Sequence, residues 1–391
     1  MRVVFVAWAW PTHLFPMVPF AWGLRSLGHE VRVASQPALA DAIPRTGLPG
    51  VSVGQDLDFL GALRHIAANP ASRPAQQENA QQQAPQGPPR AVRMFAEMAE
   101  TMTEDLIAFG RRWRPDAIVF EPTAFAGPVA AAALGIPAVR YLYGPDIMST
   151  PRLRAASAEA LEPLCGKLGL DSVDTFGTVT IDPTPAAMQV DTAPADRVPV
   201  QYLPYNGFGP GLPPAWTSAK SDRPRVCVTW GTTYSRMDPE YFLLPRVVSA
   251  LSELDIDVVV AITANQRELL GDVPANARVV ESVPLYRILP TCDAVIAHGG
   301  VSTSLTALTT AGLPMLLTPR LPDHKFHAQR VAEAGAGRVL PLADFTGAAI
   351  KSEVSALLDQ PSYRTEAIGL RKEILAQQTP GELALRLDQL V

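Results

Sequence analysis

The chain has 391 residues, with Asp+Glu 38 against Lys+Arg 33 and a formal net charge of -5. At ~100–200 residues per domain this length sets two domains as the prior, and a 47% hydrophobic content argues against wholesale disorder. The acidic balance, without any Lys/Arg block, argues against a nucleic-acid partner, because gripping a phosphate backbone needs concentrated positive charge.

The N-terminal run Met1-Arg2-Val3-Val4-Phe5-Val6-Ala7 leads into Trp10-Pro11-Thr12-His13, not into a small-residue cleavage site. It reads as a first buried strand and not as a signal peptide. No stretch approaches the ~18–20 uninterrupted apolar residues of a membrane span. Cys165, Cys227 and Cys292 are far apart and lack metal-ligand spacing. They fit a reducing cytoplasm and argue against a disulfide scaffold or a zinc site.

Short apolar, β-branched runs alternate with helical stretches in both halves, the mark of parallel strands buried on both faces. Expected strands in the first half are Val3–Ala7, Val31–Ala34, Ala117–Phe120 and Ala138–Tyr141. In the second half they are Arg225–Trp230, Val258–Ile262, Arg278–Glu281, Ala294–Ala297 and Met315–Thr318. Each half reads as its own doubly wound α/β sheet. The Pro- and Gly-dense stretch from Tyr202 to Pro214 is the best linker candidate. The expected division is an N-terminal domain over 1–205, a linker over 206–220, a C-terminal domain over 221–375 and a terminal helix over 376–391 that packs back on the first domain. Residues 69–90, rich in Gln, Pro and Ala, read as a loop, either a mobile lid or a surface insertion. From Ser362 the chain reads as one or two helices broken near Pro380-Gly381.

The most informative block is Asp293-Ala294-Val295-Ile296-Ala297-His298-Gly299-Gly300-Val301-Ser302-Thr303-Ser304-Leu305. An apolar strand runs into two glycines, then hydroxyl residues, then a helical pattern. Glycines let a ligand approach the main chain, and the helix start offers unpaired N–H groups and a partial positive end to an anion. His298 adds an imidazole N–H at the strand end. A Gly-Gly pair alone would be an ordinary turn; the flanking His and Ser-Thr favour a phosphate site. There is no Gly-x-Gly-x-x-Gly after the first strand and no Gly-x-x-x-x-Gly-Lys-Ser/Thr, so nicotinamide enzymes and P-loop hydrolases fit poorly.

Together with Pro322-Asp323-His324-Lys325-Phe326-His327-Ala328, the His298–Thr303 block resembles the donor signature of family-one glycosyltransferases. The resemblance is to the bacterial deoxysugar transferases of antibiotic biosynthesis and covers nearly the whole chain. It implies the GT-B fold, two facing Rossmann-like domains with a cleft between them. The C-terminal domain would hold a dTDP- or UDP-linked sugar as substrate, and the N-terminal one a hydrophobic aglycone such as a polyketide. Carried over by position, His298 contacts the diphosphate, with Gly299, Gly300, Ser302 and Thr303 as main-chain or hydroxyl donors. Gly231 and Thr232, in Trp230-Gly231-Thr232-Thr233, match a second phosphate loop. Val283 matches the position whose main chain meets the base, and Asp323 with His324 matches an Asp-Gln pair on sugar hydroxyls. Four departures stand out. Ser302 replaces a commoner Gly, His324 a Gln, His327 an Asn, and Ser282-Val283-Pro284-Leu285 replaces a Trp-x-Pro-Gln form. No cofactor and no metal are implied; homodimerisation and a helper protein are left open.

His13 follows the first strand, where a loop opens onto the ligand crevice of an α/β sheet. An imidazole there can take a proton from an acceptor hydroxyl; otherwise it caps the first helix. The resemblance places the family's general base at this position. Glu121, ending the Ala117–Phe120 strand, matches the carboxylate that orients the base, with one carbon more than the family's Asp. Trp10, Phe15 and Met17 are the better candidates for an acceptor pocket, as against core. His29 and His65 read as structural or exposed. Asp255-Ile256-Asp257 and Asp56-Leu57-Asp58 have the Asp-x-Asp form, here read as chance and not as metal sites. The expected reaction is an inverting, metal-independent transfer. A nucleotide-sugar 2-epimerase-like enzyme or a non-catalytic nucleotide-binding helper is the alternative.

Overall fold

The structure, a computed structural model, describes residues 1–61, 64, 87–209 and 213–391. His65, residues 69–86 of the Gln/Pro-rich segment and residues 210–212 of the linker lie outside the described residues. Two compact units emerge. The first comprises Met1–Pro183, Val190–Val200 and Gln378–Val391; the second comprises Thr184–Gln189 and Gln201–Gln377. The expected boundary at 205 therefore moves to 201. The reason is local: Tyr202 donates its O–H to the Ser302 carbonyl (3.4 Å), and Asn206 Nδ2 donates to Thr306 Oγ1 (2.9 Å). These bonds tie the segment to the helix Val301–Ala311.

In the first unit the strands are β1 (Arg2–Val6), β2 (Glu30–Ser35), β3 (Gly50–Ser52), β4 (Ala117–Phe120), β5 (Ala138–Tyr141), β6 (Val179–Asp182) and β7 (Val198–Pro199). They form one sheet in the order β3-β2-β1-β4-β5-β6-β7, and every pairing is parallel. The central strands are apolar throughout because helices cover both faces; Val3, Val4, Phe5 and Val6 have no exposed surface. Helix Arg90–Trp113 lays a stripe of Val92, Met94, Met98, Met102 and Leu106 into this core, spaced as one face of a 3.6-residue turn. It begins at the last residue of the segment read as a loop. Near the C-terminus, helix Pro380–Ala384 starts at a capping box, Thr379 with Glu382, and packs on helix Val18–Ser26 at Gly23.

The second unit holds β8 (Arg225–Thr229), β9 (Asp257–Ile262), β10 (Ala277–Glu281), β11 (Ala294–Ala297), β12 (Met315–Leu317) and β13 (Gly337–Val339). The order is β10-β9-β8-β11-β12-β13, again all parallel. All nine strands expected from the sequence are present, each end within one residue. Unexpected were β3, β6, β7 and β13, short strands at or next to sheet edges. Two to four residues give no periodicity to read; their pairing partners define them.

In both sheets the strand order reverses once, between β1 and β4 and between β8 and β11. Loops leaving the carboxyl ends of such a pair run in opposite directions and open a crevice. The loops that open these crevices begin at Ala7 and Glu121 in one unit and at Trp230 and His298 in the other. Among the described residues, no helix is long and apolar enough to cross a membrane.

Candidate functional site

In the first unit, His13 lies on the single-turn helix Pro11–Leu14 after β1. Glu121 follows β4, its N–H reaching the Val6 carbonyl (3.4 Å) as a last rung of the β1–β4 ladder. This step brings the two side chains together: His13 Nδ1 is 3.2 Å from Glu121 Oε2, with His13 19% exposed and Glu121 fully buried. Thr123 anchors the carboxylate. Its main-chain N–H (2.9 Å) and its hydroxyl (2.8 Å) both donate to Glu121 Oε2, and Trp8 Nε1 donates to the same hydroxyl (2.9 Å). A buried carboxylate needs such donors, because an unpaired charge in the core is costly. Trp8 and Tyr143 flank the imidazole at 4.6 and 4.8 Å between ring centroids. Thr123, Trp8 and Tyr143 were not singled out for this role. The only cue for Thr123 was its place two residues beyond Glu121.

Of the acceptor-pocket candidates, two are buried. Met17 has no exposed surface and Trp10 retains 6%. Both are core. Met17 faces inward because the chain continues directly into helix Val18–Ser26, and Trp10 stacks on Trp8 (5.9 Å) and meets Phe59 (4.9 Å). Phe15 stays half-buried and Tyr143 keeps partial exposure beside His13.

In the second unit, His298 directly follows β11 and is 5% exposed. Its ring lies between two glycines. A Cβ at Gly231 would fall 2.4 Å from His298 Cε1, and one at Gly300 2.6 Å from Nε2. Only hydrogens allow both loops to close on the imidazole. His298 Nδ1 is buried with no hydrogen-bond partner. Burial, with His324 and His327 nearby, holds its pKa well below the ordinary histidine value. In the free protein His298 is thus a neutral N–H donor. Gly300 caps helix Val301–Ala311, whose first N–H groups, on Val301, Ser302 and Thr303, have no partner within the helix. Ser302 is half-buried and Thr303 nearly buried, so the main chain offers more here than the Thr303 hydroxyl. Gln266 fixes the Gly231 loop: its Nε2 donates to the Gly231 carbonyl (2.6 Å) and Ser235 Oγ (3.0 Å). Its Oε1 accepts from Thr263 N–H (2.9 Å), completing a capping box that Thr263-Ala264-Asn265-Gln266 announces in sequence.

Helix Pro322–Glu333 carries Asp323, His324 and His327. Asp323 is exposed, its Oδ2 3.7 Å from His324 Nε2; His324 Nδ1 lies 2.9 Å from Tyr234 Oη. The His298 and His324 rings are 5.0 Å apart. Thr232 is exposed in the turn after Gly231, and Val283 is half-buried after Ser282, a left-handed residue with φ 53°. Of the Asp-x-Asp pairs, Asp255 and Asp257 both bind Arg223, while Asp56 and Asp58 accept main-chain N–H groups from Ala38 and Gly61. His29 sits against the Met1 nitrogen at 2.9 Å.

His327 is buried and neither ring nitrogen has a partner, so its pKa drops to about 3. The unfolded chain takes up this proton below about pH 6.5 and the folded chain only near pH 3. Stability therefore falls as pH drops through that window, by about 1.4 kcal/mol per pH unit for His327, with a further loss of the same sign from His298. In urea titrations between pH 6.5 and 4.5, His327→Leu should flatten the decline by about 1.4 kcal/mol per unit. An unchanged slope would show that the buried ring does not govern acid lability.

Family models match both units: the erythromycin biosynthesis protein CIII-like N-terminal domain over residues 22–231 and its C-terminal domain over 245–390. The chain is 35% identical to 10-deoxymethynolide desosaminyltransferase of Streptomyces venezuelae, covering 100% of this chain and 97% of the relative. It is also 35% identical to aklavinone 7-beta-L-rhodosaminyltransferase of Streptomyces galilaeus, covering 100% and 96%. Among solved structures, the spinosyn rhamnosyltransferase SpnG matches with a TM-score of 0.84 at 31% identity, over 99% of this chain and 100% of that one. SpnG has also been solved with thymidine diphosphate and with the spinosyn aglycone. Matched in both halves and along its whole length, the chain belongs to the erythromycin biosynthesis protein CIII-like family and is a GT-B glycosyltransferase.

Proposed function

We propose that the protein transfers a deoxysugar from a thymidine diphosphate donor to a polyketide aglycone in one displacement, with inversion at the anomeric carbon. The observation that carries this reading is the His298 ring enclosed by Gly231 and Gly300 at the strand-order reversal of the second unit. A neutral N–H, free helix N–H groups and a close main chain make a diphosphate site that calls for no metal ion. The relatives' desosaminyl and rhodosaminyl transfers support a deoxysugar. The SpnG complex supports thymidine diphosphate over uridine diphosphate.

In the reaction, Glu121 accepts a hydrogen bond from His13 Nδ1–H, which leaves the Nε2 lone pair free. Nε2 takes the proton of the acceptor hydroxyl as its oxygen bonds to the anomeric carbon. The bond from that carbon to the diphosphate breaks, and His298 with the helix start stabilises the departing charge. Phe15 and Tyr143 contact the aglycone, Val283 the base, Thr232 the diphosphate, and Asp323 with His324 the sugar.

The test uses dTDP- and UDP-deoxysugars with macrolactone and anthracyclinone acceptors, because relatives of both kinds are equally similar to this chain. A mass gain of one sugar, with the opposite anomeric configuration by proton NMR, is expected. Conversion of donor to an isomer without acceptor, or nucleotide binding with no turnover on any acceptor, would overturn the proposal.

A further inference from the structure

Tyr234 lies in the short helix Tyr234–Met237 that follows the Gly231 turn, and it is almost wholly buried. Its phenol oxygen receives two main-chain donors, Arg320 N–H at 2.8 Å and Leu321 N–H at 3.1 Å. Both lone pairs of a phenol oxygen are then used. The remaining group at hydrogen-bond distance is His324 Nδ1, 2.9 Å away. With no lone pair left to accept an Nδ1–H, the phenol must be the donor. His324 Nδ1 is therefore the bare nitrogen, and its hydrogen sits on Nε2.

We propose that Tyr234 is a positioning residue that locks His324 in the Nε2–H tautomer, so that His324 presents a hydrogen-bond donor to the transferred sugar. The step rests on the reading of this pocket as the donor site. The Nε2 edge points toward Asp323, whose exposed carboxylate is an acceptor 3.7 Å away. Side by side, an N–H and a carboxylate suit a sugar hydroxyl that accepts from the first and donates to the second. A glutamine at this position would carry its donor permanently. A histidine carries it on either nitrogen, and the choice falls to the partner of the other nitrogen. Burial raises the Tyr234 pKa further above its ordinary range, so the phenol keeps the hydrogen that the arrangement needs.

Nitrogen-15 spectra of the imidazoles in the unliganded protein read this tautomer directly, whether or not the protein transfers sugar. His324 should appear as the Nε2–H form, and Tyr234→Phe should convert it to a mixture or to the Nδ1–H form. An Nδ1–H tautomer in the parent overturns the proposal, and so does a tautomer unmoved by Tyr234→Phe. The parent spectrum decides even if the variant fails to fold. With an active donor and acceptor pair, Tyr234→Phe should raise the donor KM about tenfold, as loss of one oriented hydrogen bond does, while the Kd for thymidine diphosphate stays within about twofold. In a His324→Gln background the same substitution should change KM less than about twofold, since glutamine needs no tautomer fixed. Equal losses in both backgrounds would mark Tyr234 as packing only.

Discussion

A His13→Ala protein should turn over about 10²–10⁴-fold more slowly than the parent, the usual worth of a positioned general base. Its affinity for thymidine diphosphate should not change, since His13 and the His298 pocket belong to different units. Glu121→Gln should lose a comparable factor by another route. A glutamine oxygen can keep the bonds from Thr123 N–H and His13 Nδ1–H, but it carries no charge to stabilise the imidazolium that forms as Nε2 takes its proton. Thr123 and Trp8 stay in place to hold the substituted side chain, so the loss would not report a collapsed site. Steady-state kcat together with calorimetric nucleotide binding separates these effects. A His13→Ala variant that keeps most of its turnover removes the base assignment.

Gly300→Ala should weaken thymidine diphosphate binding by about tenfold to a hundredfold, the worth of a hydrogen bond to a charged group. The added Cβ falls 2.6 Å from His298 Nε2 and must displace the ring. Gly231→Ala should be worse. Its Cβ falls 2.4 Å from His298 Cε1, and its φ of +62° adds a strain of about 1–3 kcal/mol for any residue with a side chain. Gly271→Ala is the control: φ is +68°, but a Cβ there meets nothing within 4 Å. It should lose stability without losing nucleotide affinity. Calorimetric binding and thermal melting on the three variants separate steric from backbone effects. A Gly300→Ala protein that binds thymidine diphosphate as tightly as the parent would show that the nucleotide is not held at His298.

The extent to which the site could be read from sequence follows from how far each signal reaches along the chain. The His298–Thr303 block was legible because strand, glycine turn and helix start are consecutive in sequence. His13 and Glu121 were nameable as strand-end residues, with the family resemblance supplying their roles. Trp10, Phe15 and Met17 show the opposite case. All are large and apolar and stand within eight residues of one another in sequence, yet Met17 is fully buried and Phe15 is not. Residue type cannot decide between pocket and core; helix phase against the sheet does. Tyr234 and Thr123 escaped notice because each works through a partner from another part of the chain or through main-chain groups; the capping box of Gln266 is legible in Thr263–Gln266, but its bond to Gly231 is not. Such bonds leave no pattern in a single strand of text.

By itself, the sequence determined two α/β sheets, because buried parallel strands require unbroken apolar runs, and it determined the succession of strand, glycine turn and helix start at His298–Thr303. Tertiary structure decided the rest. The single reversal of strand order in each sheet set Glu121 beside His13 and enclosed the His298 ring between Gly231 and Gly300. Contacts between residues up to about a hundred positions apart depend on which strands pair, and pairing is a property of the assembled sheet.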